Sequence, residues 1–157
     1  HKVSNFKDRI VVTRHNDVAE ICRHENIHFI KHDMPYRNDM IRIGVTHIIN
    51  NSYSDGILFL PADQPLIKRT SLQLLCLLFV YHNDKICRLS FNGNAGSPCI
   101  FPSHYFNELL NLPERKGGGF LIKKYPAQVI AVPAQDKYEL YDIDTPDDII
   151  RLSAISH

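Results

Sequence analysis

Short apolar runs and longer amphipathic stretches alternate along nearly the whole of this chain, and few folds accommodate that order. The runs at residues 9–13, 27–31 and 56–60 have strand length, and residues 16–25, 39–50 and 70–82 carry helical spacing. In the second of these, Met40, Ile41, Ile43, Val45, Ile48 and Ile49 mark the apolar face. Asn16 or Asp17, and Thr70 or Ser71, are the expected helix starts. Further strands are expected at 86–91, 99–101, 129–132 and 138–143, and helices at 103–110, 119–124 and 145–153. Such alternation predicts an α/β fold: a doubly wound, mainly parallel, Rossmann-like sheet with helices on both faces. No linker, repeat or low-complexity segment interrupts it, so residues 1–157 read as one domain.

Composition narrows the class of function. The net charge is +1 and the basic residues are scattered, so no nucleic-acid partner is expected. No apolar run reaches the roughly 18 residues that span a membrane. The longest, residues 72–81, is interrupted by Gln73 and reads as a buried helix. With no signal-peptide pattern, a cytoplasmic location is the expectation. Cys22, Cys76, Cys87 and Cys99 form no CxxC pair and lie among apolar neighbours, as thiols in a reducing compartment do. His24, His28 and His32 recur every fourth residue, but the strand expected at 27–30 breaks the helix that would align them. They are read as surface histidines.

The run Leu58-Phe-Leu-Pro-Ala-Asp-Gln-Pro carries the most chemical information. Pro61 and Pro65 stop the strand, leaving Asp63 on the loop at its carboxyl end, where open α/β sheets bind ligands. A carboxylate there suits Mg²⁺ held against nucleotide phosphates. A second acidic run is Asp142-Ile-Asp144-Thr-Pro-Asp-Asp148. Its end is structural: Thr145 as a helix cap, Pro146 at the first helical position, and Asp147 and Asp148 in the first turn. Asp142 and Asp144, two apart on an expected strand, would share one face, and Asp144 is the better second ligand to an ion shared with Asp63.

Two glycine-bearing segments admit both a bland and a functional reading. Asn92 to Pro98 is a turn between strands, or a loop whose N–H groups surround a substrate's polar edge. Lys116-Gly117-Gly118-Gly119 is a connector, or an anion cradle before a short helix. The chain contains no GxxxxGK[ST], GxGxxG or GxSxG motif.

Taken in order, the segments at 60–65, 94–101, 116–119 and 142–148, with Arg37-Asn-Asp-Met-Ile-Arg-Ile-Gly44 upstream, resemble the molybdenum-cofactor nucleotidyltransferase family. The likeness is greatest to its cytidylyltransferase-like branch, which includes accessory proteins of molybdenum hydroxylases. It implies a nucleotidyltransferase-type α/β domain that moves CMP or GMP from CTP or GTP onto the terminal phosphate of a molybdopterin-type cofactor, with Mg²⁺. By this resemblance Asp63 holds the metal with help from Asp144 and Asp142. Gln64, Asn94, Gly96 and Pro98 line the nucleotide or acceptor pocket. Lys116, Gly117 and Gly118 lie near the acceptor's anionic end. A molybdenum hydroxylase apoenzyme is the implied recipient.

The family's opening strand and Gly-rich phosphate loop, with its Arg and Lys, have no counterpart here. The chain starts at His1, enters a strand by residue 9, and reads as beginning in mid-domain. Residues 1–8 resemble the end of the helix that follows that loop, and the absent strand would be the first central one. Two alternatives accompany the transferase reading: a non-catalytic carrier of a pterin cofactor, and a transferase of the same fold acting on a sugar or polyol phosphate.

Overall fold

The computed structural model describes residues 6–155 and divides the chain into two compact units. Residues 1–5, which carry most of the expected helix end, lie outside the described residues; residues 6–8 are not helical. The fold is α/β, as the alternation predicts.

The unit formed by residues 2–57 and 101–129 opens with β1 (Val11–Thr13), α1 (Asn16–His24), β2 (Phe29–Lys31) and α2 (Arg37–Asn51). β1 and β2 pair in parallel, Val11 opposite Phe29 and Thr13 opposite Lys31, as a βαβ unit requires. α1 packs on both strands and buries Ala19 and Cys22; α2 packs on β1 and buries Val45 and Ile48. Neither Asn16 nor Asp17 caps α1: His15 is the residue before the helix, and its side chain makes no cap bond. The later part of this unit contributes α4 (Phe106–Leu110), packed on α2, and α5 (Gly119–Lys124). Phe101, Leu109 and Leu121 fill its centre, each at most 1% exposed.

The other unit, residues 58–100 and 130–157, is built on a four-stranded sheet in the order β3-β5-β4-β6. The strands are β3 (Gly56–Phe59), β4 (Ile86–Phe91), β5 (Asn94–Pro102) and β6 (Val129–Pro133). α3 (Arg69–Tyr81) packs on β4. Leu75 of α3, Cys87 and Leu89 of β4, Ile100 of β5 and Val132 of β6 form the buried core. Burying each leucine or valine stabilises by about 1.5–3 kcal/mol.

Three local expectations are corrected here. The span 92–98 is not a loop: β4 and β5 form an antiparallel hairpin whose turn is Asn92-Gly93 alone, with φ of 47° and 80°. Two successive residues in the left-handed region twist a two-residue turn to match the strands, and Asn-Gly supplies them at least cost. Residues 138–143 are not a strand. Lys137–Leu140 is a 3₁₀ turn, because Asp136 accepts from Tyr138 N at 2.9 Å and Glu139 reaches back to Gln135 N at 2.7 Å. Finally, Thr70 and Ser71 lie inside α3 rather than capping it. The carboxylate of Glu139, fully buried, accepts from Lys68 N at 2.9 Å and from Ser71 Oγ at 3.0 Å, satisfying the helix start from a distant segment.

Candidate functional site

β3 ends at Phe59, and prolines at 61 and 65 keep the following residues out of the ladder, so the chain turns at Ala62 and Asp63. The Asp63 side chain is exposed on this turn. Two bonds fix the turn to the second acidic segment. Ile143 N donates to the Asp63 carbonyl oxygen at 2.8 Å, and Gln64 Nε2 donates to Asp142 Oδ1 at 2.7 Å. The structure therefore brings Asp63, Gln64, Asp142 and Asp144 into one neighbourhood although nearly 80 residues separate the two segments. Asp142 and Asp144 are exposed, and no strand pleat aligns them.

Gln64 is only 7% exposed, and its Oε1 is buried without a hydrogen-bond partner among the described residues. The opposite amide orientation would set that oxygen against the Asp142 carboxylate, so the assignment is chemically forced. A buried acceptor left unpaired costs about 1–3 kcal/mol. Such an oxygen, beside carboxylates, is a donor set of hard ligands that suits Mg²⁺ or its water shell.

The acidic segment is held at its far end by Asp148. Its carboxylate accepts from Thr145 Oγ1 at 2.7 Å, Thr145 N at 2.9 Å, Tyr141 Oη at 3.0 Å and Asp144 N at 3.2 Å. The Thr145 hydroxyl, chiefly, holds Asp148 below its ordinary carboxylate range. Pro146 opens α6 (Pro146–Ile155), as the spacing predicts; Thr145 stands directly before it, its carbonyl accepting from Asp148 N at 3.0 Å while its own N–H and hydroxyl donate to the Asp148 carboxylate. At the near end, Lys68 and Asp136 form a short ion pair; their shared hydrogen bond raises the lysine and lowers the aspartate.

Gly96 and Pro98 lie on β5, where the register shifts between Arg88 and Ser90 of β4. Pro is admitted to a strand at such an irregularity. The Gly96 carbonyl leaves the ladder and accepts from Arg88 Nε at 3.1 Å and Nη2 at 3.0 Å. A Cβ at Gly96 would stand 2.9 Å from Leu140 Cδ2, so this glycine packs two residues from Asp142. Asn94 is exposed at the start of β5, and Pro98 is buried.

In the other unit, the residues after β1 and β2 line a cleft of about 340 Å³ at the strands' carboxyl ends. Thr13, Arg14 and His15 form one side and Met34 to Arg37 the other. A more open depression of about 610 Å³ shares Arg14 and His15 and adds Lys31, His32 and Asp33. Sequence reading passed over Arg14 and His15; their position directly after a strand was the available signal.

Lys116, Gly117 and Gly118 belong to this same unit. Lys116 is exposed, and its N–H donates to Pro113 O at 3.0 Å. A Cβ on Gly117 would lie 2.9 Å from Arg37 Cδ, and one on Gly118 would lie 2.9 Å from Phe101 Cζ. These glycines thus serve close packing. Arg115, at φ 65°, donates its N–H to Asn38 Oδ1 at 2.9 Å and sets its guanidinium 5.0 Å from the Tyr36 ring centroid. Gly118→Ala is expected to cost about 1–3 kcal/mol, because Phe101 is fully buried and cannot yield. Gly117→Ala meets a flexible arginine stem and is expected to cost less; urea unfolding of both variants tests the order.

No disulfide joins any of the four cysteines among the described residues, and burial pushes the Cys87 thiol up to about 11. No helix among the described residues is long and apolar enough to cross a membrane.

Comparison with known proteins agrees with this architecture. A nucleotidyl transferase from Methanothermobacter thermautotroptrophicus superposes with a TM-score of 0.74 at 18% identity, over 96% of this chain and 74% of its own. The 4-diphosphocytidyl-2C-methyl-D-erythritol synthase of Anaerococcus prevotii gives 0.74 at 15% identity, over 99% of this chain and 81% of its own. Rv0371C of Mycobacterium tuberculosis, solved as a complex with manganese, gives 0.67 at 20% identity, over 94% and 78%. At such identities the likeness establishes the fold. No curated protein matches the chain. Residues 2–129, most of the sequence, match the MobA-like NTP transferase domain. The chain belongs to that family of nucleotidyltransferases.

Proposed function

We propose that this protein transfers CMP or GMP from CTP or GTP to the terminal phosphate of a molybdopterin-type cofactor. An oxygen of that phosphate attacks the α-phosphorus of the nucleotide, forming a new P–O–P linkage. The bond from the α-phosphorus to the bridging oxygen breaks, and pyrophosphate leaves. The observation that carries the reading is the double tie between the Asp63 turn and the 142–144 segment, at 2.7 and 2.8 Å, in a chain of this family.

Asp63 and Asp144 would hold Mg²⁺, with Asp142 beside them; the ion would neutralise charge building on the phosphates. Gln64 would orient the set, since its amide hydrogen bond fixes Asp142 and leaves an oxygen for the ion or its water. Asp148 keeps the Asp144 backbone in place. Gly96 and the Arg88-held strand around it would line the acceptor side, together with Asn94 and Pro98. Within the other unit, Lys116, Gly117 and Gly118 are the residues that the family resemblance assigns to an anionic group. Arg14 and Arg37 in the cleft after β1 and β2 offer cations to an anionic ligand. Rate enhancement in such a site comes from positioning and charge neutralisation. A molybdenum hydroxylase apoenzyme is the proposed recipient of the product.

A second reading, a polyol-phosphate cytidylyltransferase, is favoured by the fold shared with 4-diphosphocytidyl-2C-methyl-D-erythritol synthase. Pyrophosphate release separates the two. With CTP or GTP and Mg²⁺, release is expected on adding a molybdopterin-type cofactor and not on adding a polyol phosphate. Release only with the polyol phosphate would establish the second reading. Nucleotide-free pterin binding without any release would identify a carrier.

A further inference from the structure

We propose that Asp8, His28 and His47 form a binding site for a zinc-class divalent transition-metal ion, separate from the carboxylates assigned to Mg²⁺. One ligand atom from each of the three lies within 4.8 Å of the others. Asp8 Oδ2 and His47 Nε2 are 3.2 Å apart, close to the roughly 3.3 Å edge of a tetrahedron of nitrogen and oxygen ligands about a zinc ion. The imidazoles of His28 and His47 meet edge to face, their centroids 4.9 Å apart at 73°. Two imidazoles and a carboxylate form a donor set for zinc and its neighbours in the series rather than for Mg²⁺, which prefers oxygen alone.

The backbone sets all three. Asp8 precedes β1, and its Oδ1 accepts from Arg9 N at 2.7 Å, which turns Oδ2 toward His47. His28 precedes β2, where its carbonyl oxygen accepts from Val11 N at 3.0 Å. His47 projects from α2 with its side chain only 13% exposed. The group lies at the amino ends of β1 and β2, whereas the cleft lies at their carboxyl ends. Three protein ligands leave a fourth position for water, and the ion would clip the approaches of both strands to α2.

The test uses the whole chain, stripped with a chelator, titrated with Zn²⁺ by calorimetry and with Co²⁺ by absorbance. One equivalent is expected to bind, with the intense d–d bands of tetrahedral Co²⁺, and saturating Zn²⁺ is expected to raise the melting temperature. His28→Ala removes an exposed side chain and is expected to stay folded while weakening Zn²⁺ at least tenfold and abolishing the thermal shift. Asp63→Asn is expected to leave Zn²⁺ affinity unchanged. No stoichiometric binding, unchanged affinity in His28→Ala, or loss of affinity in Asp63→Asn would each overturn the assignment.

Discussion

Asp63→Asn is expected to lower nucleotide turnover about a thousandfold and to leave the protein folded. The fold is spared because the Asp63 tie to Ile143 runs through the backbone carbonyl, which asparagine retains, and because the side chain is exposed. On the proposed reading, turnover falls because the amide has no charge with which to hold a divalent cation against phosphates. Removing one preorganised electrostatic partner of a transition state costs 10²–10³ in kcat, and loss of a metal's contribution adds to that. Pyrophosphate release and a thermal melt of the same preparation check both halves. Turnover within a few-fold of the parent protein would remove Asp63 from the metal site. A collapsed melt would mean that the turn is stabilised by the charge itself.

The second large effect concerns a residue that contributes no chemistry. Glu139→Ala is expected to destabilise the protein by about 3–5 kcal/mol. Its carboxylate is inaccessible to solvent and serves Lys68 N, Ser71 Oγ and Gln135 N at 2.7–3.0 Å. Alanine would strand the buried Ser71 hydroxyl and take the acceptor from two part-buried amides, Lys68 N before α3 and Gln135 N after β6. Glu139→Gln keeps one acceptor oxygen and is expected to lose less than half as much. Urea unfolding with an unchanged slope would measure both. A loss below about 1 kcal/mol for alanine would show that the donors find other partners.

Glu139 also marks where sequence stops being informative. The helices at 16–24, 37–51 and 69–81 announce themselves through local spacing, and the apolar runs of β1 to β3 are equally local. Asp63 was legible because two prolines and a preceding apolar run fix its place without help from elsewhere. Residues 138–143 mislead because Tyr138, Leu140, Tyr141 and Ile143 mimic strand composition, while the deciding bonds come from Asp136, Gln135 and α3. The tie of Gln64 to Asp142 is likewise a tertiary fact, although both residues stood in segments already singled out. The hairpin turn was shorter than read, since Gly96, Ser97 and Pro98 have turn composition. The guanidinium of Arg88 lets them remain in β5 by taking the carbonyl that the irregular register frees.

The distribution of the four thiols gives each unit its own built-in reporter. Cys22 belongs to one unit, and Cys76, Cys87 and Cys99 to the other. Cys22, Cys87 and Cys99 are 3%, 0% and 8% exposed, so a thiol reagent must wait for an opening event before it can attack. Labelling followed by peptide mass mapping would time those events at individual positions without an introduced probe. The lag between Cys22 and Cys87 would measure whether the two units open together or one after the other.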